Sequence, residues 1–259
     1  MLSKTGAAVF VLCFLNCFTA APSQQNSPPL PLSDFKDPDL QKRIDAYGQV
    51  RANKEALKRA DVITALVDLL DLENREIHKR WADTTGDNEG YSEYMGALLG
   101  TVADIADWHD RRQLCVLAES TYDPGSEFAT RLAVQGGAAV APCLLKMARS
   151  RISFDPFESI PVLVHLAAVT NDLTPSVREQ IRQVTLEGLR NSETRLVTVQ
   201  AVGQFETPDM IPILQDIART DPYSRLLDNG KRRFDVREAA VKAIQSIEER
   251  AKVNKLREK

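Results

Sequence analysis

The chain has 259 residues, 43% of them hydrophobic and only 6% aromatic, with 33 Lys and Arg against 36 Asp and Glu. That apolar fraction excludes wholesale disorder, and a net charge of −3 lacks the basic excess that marks nucleic-acid binding. The low aromatic content, with 12 Gly and 13 Pro, also argues against an all-β fold, which leans on aromatic and β-branched residues.

The first element is not part of the fold. Lys4 precedes an uncharged, mostly apolar run from Gly6 to Phe18, followed by the small residues Thr19, Ala20 and Ala21. A basic start, a short apolar run and a small-residue exit predict a secretory signal peptide over 1–23, cleaved after Ala21 or after Ser23. The run falls short of the roughly 20 residues that span a bilayer, and an uncleaved anchor is the alternative. A lipoprotein would use Cys17 or Cys13, but Phe14 and Phe10 stand where Leu or Val is expected three residues upstream. No later stretch reads as a membrane span. The expected mature protein is secreted or periplasmic, in an oxidising compartment. Cys13 and Cys17 leave with the signal; Cys115 and Cys143 remain. That compartment permits a disulfide between them, against two buried thiols.

Residues 24–37, with Pro28, Pro29 and Pro31, read as a Pro-rich flexible linker. A helical region with little repeat character is expected over 38–136. Residues 39–59 are polar, with Leu40, Ile44, Tyr47 and Leu57 as a thin apolar stripe. Asp61 predicts an N-cap for a helix running to Trp81 through Val62, Leu66, Leu69, Leu70 and Ile77. DTTGDNEG at 83–90 breaks the pattern, and 91–108 is helical again, with Tyr94, Leu98, Val102, Ile105 and Trp108 on one side. Further helices are predicted near 111–120, 126–135, 138–149, 156–169, 175–190, 193–205 and 208–219. A last one begins about Asp235 and enters the charged tail, 254–259.

One octet occurs three times: APCLLKMA at 141–148, IPVLVHLA at 160–167 and IPILQDIA at 211–218. The shared columns hold Pro142, Pro161 and Pro212, then apolar residues at helical spacing, then Ala148, Ala167 and Ala218. Such spacing makes one buried stripe, and the alanines let a neighbouring helix approach. With Pro156 or Pro208 opening the helix, Pro161 or Pro212 falls in the second turn and bends it. A second pattern, at 176–189, 194–205 and 235–247, places Arg178, Arg195 and Arg237 in one column, followed by apolar residues at helical intervals. This pattern decides RLVTVQAV at 195–202 as helix despite its β-branched content.

The proline octets and the V-R-x-x-A-x-x-A-I segment at 236–244 resemble the HEAT-repeat family, in particular the short bacterial type of phycobilin lyases. The resemblance covers about 137–249 well and 60–136 only by general helical character. It implies an all-α superhelix of stacked helical pairs after the signal peptide, with the array over 137–253. It also implies that the arginine column packs repeats together, and it is silent on function. The spacing departs from one regular period: the octets lie 19 and then 51 residues apart, so the first two are read on consecutive helices. Between the last paired helices stands an insertion, TDPYSRLLDNGKRRFD at 220–235.

Chemistry is sparse. Of three histidines, His78 sits in a charged run and His165 in a variable octet column, both read as surface positions. His109 has Asp104 and Asp107 beside it, and a carboxylate pair at i,i+3 on one helix face with an imidazole is the candidate metal set. DTTGDNEGYSEY at 83–94 fails as a calcium loop, since Asn88 and Tyr94 replace the required Gly and Glu. No GxSxG, HExxH, GxGxxG or GxxxxGK occurs. The expectation is therefore no catalytic residue, no cofactor and no enzyme. The insertion supplies the candidate partner-binding residues: Tyr223, Arg225, Lys231, Arg232 and Arg233, cations on an acidic body. A non-catalytic protein–protein interaction scaffold is the reading. Its rival is an enzyme or enzyme accessory with a metal or small-molecule site in 60–136; a tethered envelope component is the third.

Overall fold

The computed structural model describes residues 29–82, 88–120, 127–150, 154–205, 208–227 and 229–257, with the side chains of 78–82, 88–89, 154–155 and 257 also outside the described set. The chain divides into Met1–Leu30 and Pro31–Lys259. The predicted signal peptide and its predicted cleavage positions lie outside the described residues, and the fold is that of the second unit.

That unit is all-α. Ten α-helices are described: α1 Leu40–Ala52, α2 Ala60–Ala82, α3 Asn88–Ile105, α4 Arg111–Glu119, α5 Glu127–Ala148, α6 Phe154–Val169, α7 Pro175–Arg190, α8 Arg195–Phe205, α9 Ile211–Thr220 and α10 Asp235–Arg257. Short polar side chains start several of them by satisfying amides that lack intrahelical partners. Asp39 accepts from Gln41 N–H, Asp110 from Gln113 N–H and Thr174 from Val177 N–H. Asp61 does not play that part: α2 begins one residue earlier, and Asp61 lies in its first turn. The polar stretch 39–59 is also not one helix. Asn53 closes α1, and a separate 3₁₀ turn, Ala56–Lys58, leads into α2.

Packing is local along the sequence. α6 lies against α5, α7 and α8, and α10 lies against α8 and α9. Among the described residues, the substantial helix–helix contacts join neighbours or next-but-one neighbours. Leu189, Val199, Val202, Met210, Leu214, Ala240, Ala243 and Ile247 form one continuous core from α7 to α10. Gly203 on α8 lets α10 approach: a Cβ there would lie 2.7 Å from Ala243 Cα.

Several expectations change. The linker ends sooner than residue 37, because Leu32–Lys36 forms a 3₁₀ turn that buries Phe35 against the body. The two segments predicted near 126–135 and 138–149 are the arms of α5, which bends at Gly137, φ +49°. That left-handed φ favours glycine, so the bend sits at Gly137 and not at Pro142, which lies inside the second arm. Pro212 lies in the first turn of α9, after a separate 3₁₀ turn at Pro208–Met210, rather than in a second turn. The first two octets do fall on consecutive helices, α5 and α6. By length and composition α5 could cross a bilayer, contrary to the reading that no later stretch could. Half of its apolar window is buried against the rest of the unit.

Cys115 on α4 and Cys143 on α5 form a disulfide. The octet column made Cys143 look like a buried apolar thiol. It is buried, and the column says nothing of the α4 face that meets it.

Candidate functional site

The insertion after α9 is a miniature hairpin. Strands β1, Arg225–Leu226, and β2, Arg232–Arg233, pair antiparallel, Arg225 opposite Arg233 and Leu226 opposite Arg232. Leu227 N–H donates to Lys231 O, Gly230 N–H donates to Leu227 O, and Gly230 sits at φ +73°. A glycine in the left-handed region closing a short hairpin loop is the residue that such a turn requires.

The five candidate residues come together here, but they do not act alike. Arg225 and Arg233 both reach Asp235 at the start of α10, at 2.7 and 2.9 Å, and Arg233 also meets Glu238 at 3.2 Å. These two cations clamp the hairpin to α10, while their side chains remain about half exposed. Arg232 donates to Ser224 Oγ at 3.2 Å and stays exposed, as does Lys231. Tyr223 is 55% exposed and Leu226 is 72% exposed, an apolar residue missed in the sequence. Outside the clamp the exposed surface is Tyr223, Leu226, Lys231 and Arg232, with Arg225 also exposed. Below the hairpin a groove of about 470 Å³ runs between α8 and α10, lined by Gln200, Gln204, Lys242 and Ser246 among others.

The arginine column has a definite chemistry. Arg178 donates to the carbonyls of Ala167 and Thr170 at the end of α6. Arg195 does so to Leu189 and Arg190 at the end of α7, and Arg237 to Asp221 just past α9. The last carbonyls of a helix lack intrahelical partners and carry its negative end, so a guanidinium from the next helices satisfies both hydrogen bonding and charge. Arg195 also pairs with the Asp221 carboxylate, which is almost wholly buried. Arg250 and Arg131 repeat the device on Gly203 O and Ala103 O.

The metal candidates do not gather. α3 ends at Ile105, so Asp107 leaves the helix face that Asp104 occupies. Asp104 pairs with Arg131 at 2.7 Å, and Asp107 turns back to accept from His109 N–H. Among the described residues no group of three His, Cys, Asp or Glu could hold an ion. His165 is not on the surface as expected: it is half-buried and stacks on Phe205 at 4.1 Å, and burial holds its imidazole below the ordinary value. Trp108 is half-buried under the Arg131 guanidinium; the side chains of Trp81 and His78 lie outside the described set.

The sequence also hid a buried polar cluster. Arg43 on α1 and Glu73 on α2 pair at 2.7 Å, with side chains 4% and 0% exposed. Tyr91 and Tyr94 on α3 donate their hydroxyls to Glu73, and Arg43 donates to Asp37 O. Burial and the Glu73 charge push the Tyr94 phenol far up. A separate groove of about 1160 Å³ opens between the first 3₁₀ turn and α2, lined by Leu32, Phe35, Ala65, Leu69 and Leu72 and edged by Asp61 and Arg75.

No protein-family model matches the sequence, and neither a curated protein nor a solved structure does.

Proposed function

We propose that the mature protein is an extracytoplasmic, non-catalytic scaffold of HEAT-repeat type that binds a protein partner through the 223–233 hairpin. The observation that carries this reading is the hairpin's division of labour. Two of its arginines anchor it to α10, leaving Lys231 and Arg232 charged beside the exposed Tyr223 and Leu226. A rigid projection with an apolar pair and free cations suits an acidic partner surface, the cations steering approach and the apolar pair supplying contact area. Neighbour-only packing supports the stacked-repeat architecture, since each repeat of a solenoid touches only those beside it. The Cys115–Cys143 disulfide supports an oxidising compartment, and with it the signal peptide over 1–23.

The test is crosslinking of the mature protein in its native envelope fraction, beside a Lys231→Glu, Arg232→Glu variant that leaves the Asp235 clamp intact. Captured proteins should be lost in the variant while the thermal unfolding midpoint stays put. Equal capture by both proteins overturns the reading.

One observation favours the second reading, a small-molecule site within 60–136: the apolar groove against α2. A small molecule co-purifying with the mature protein, and displaced by Leu69→Arg, would select it instead.

A further inference from the structure

We propose that Asn229, at the tip of the hairpin, is a site of spontaneous deamidation in the folded protein. Three observations meet there. Asn229 is exposed, and the following residue is Gly230, where a Cβ would meet only open space, so no side chain shields the backbone nitrogen. The Asn229 side-chain oxygen accepts from Lys231 N–H at 3.0 Å. This Asx turn folds the carboxamide back along its own backbone beside the Gly230 nitrogen, and the hydrogen bond polarises its carbonyl. Lys231 and Arg232 follow Gly230 directly in the chain and are exposed, and nearby positive charge favours loss of the Gly230 amide proton and the carboxylate that results.

The step balances without an outside oxidant. Gly230 N gives its proton to solvent base and breaks its hydrogen bond to Leu227 O. It then bonds to Asn229 Cγ as the Cγ–Nδ2 bond breaks, and ammonia leaves. Water opens the resulting cyclic imide. Cleavage of the new N–Cγ bond yields Asp; cleavage of the original peptide bond between Asn229 and Gly230 yields isoaspartate, with the backbone routed through Cγ. Either product adds a negative charge two residues before Lys231. Isoaspartate also lengthens the backbone by a methylene inside a loop whose register sets Arg225 opposite Arg233.

The structure contains its own control. Asn191 is exposed and makes the same turn, accepting from Glu193 N–H at 2.9 Å, but Ser192 follows it. The mature protein is incubated at mildly alkaline pH, native and urea-unfolded, and each site is followed by peptide mass and enzymatic isoaspartate methylation. Asn229 in the native protein should convert about tenfold faster than Asn191, a barrier difference of about 1.4 kcal/mol. The difference arises because Gly230 leaves its nitrogen open and exposed cations follow it, whereas Asn191 caps α7 and precedes Ser192. Ser192→Gly should bring Asn191 up to a comparable rate, and Asn229→Gln should abolish the hairpin signal. Native conversion at Asn229 no faster than at Asn191, or conversion only after unfolding, overturns the proposal. These readouts involve no partner and stand or fall apart from the scaffold reading.

Discussion

Arg43 and Glu73 show how a charged pair can disappear into a sequence. α1 is so polar that Arg43 reads as one more solvated cation, yet the fold turns it inward onto a carboxylate with no exposure at all. Removing one partner strands the other: Arg43→Met should cost about 3–5 kcal/mol in urea unfolding. Arg43→Met with Glu73→Leu should recover only part of that: the pair's desolvation roughly cancels its attraction, but the buried Tyr91 and Tyr94 hydroxyls lose their acceptor. Tyr94→Phe removes a single donor to a charged acceptor and should cost about 1.5–3 kcal/mol. His165 provides a pH readout. Burial lowers its folded pKa below the unfolded value, so the unfolded state binds the extra proton. Stability should be fully present above about pH 6.5 and fall as the pH drops from there toward the folded pKa. His165→Phe should flatten that slope in pH-dependent thermal melts. None of this was legible beforehand, because octet columns distinguish buried from variable positions but cannot place the Phe205 ring that meets His165.

Helices were the legible level. The segments from Arg111 onward lie within a few residues of their expected spans, since apolar spacing and prolines mark those spans directly. What escaped were features requiring a second segment: the Gly137 bend, the hairpin in place of a plain loop, and the pairing of Cys115 with Cys143. The Asn229-Gly230 dipeptide is a turn signal, but its strands of two residues are too short to show alternation. Two substitutions test the packing of elements. Gly203→Ala drives a methyl group into the α10 backbone, which cannot step aside like a flexible side chain, and should cost about 1–3 kcal/mol. Arg195→Ala leaves the buried Asp221 carboxylate without its cation and should cost about 3–5 kcal/mol, with Arg195→Lys restoring only part. Chemical denaturation of each variant measures both effects.

At the scale of the whole unit, local packing and one long-range covalent link divide the task of holding the fold together. The disulfide closes a 28-residue separation between α4 and α5. The loop-closure entropy argument assigns such a closure about 3–4 kcal/mol. Reduction, or Cys115→Ser with Cys143→Ser, should lower the urea midpoint accordingly, compared in oxidised and reduced buffer. Because the core from α7 to α10 has its own continuous packing, the loss should fall first on helices around the disulfide. Hydrogen exchange should then report faster opening of α4 and α5 than of α8 and α10. The site was legible only in part. Its cations were visible as a cluster, but which of them remained free depended on Asp235, ten residues beyond Arg225 and on another element.

The arginine column gives the protein a direction in time. Arg178, Arg195 and Arg237 each finish the end of a helix that precedes them in the sequence, so no helix end in that series is complete until a later stretch has emerged. A nascent polypeptide halted before Arg237 would display the Asp221 carbonyl as an open acceptor, and one halted before Asp221 would leave the Arg195 guanidinium without its carboxylate. Each completed helix thus leaves an unfinished edge for the next to seal, and the series acquires order in the sequence in which it emerges.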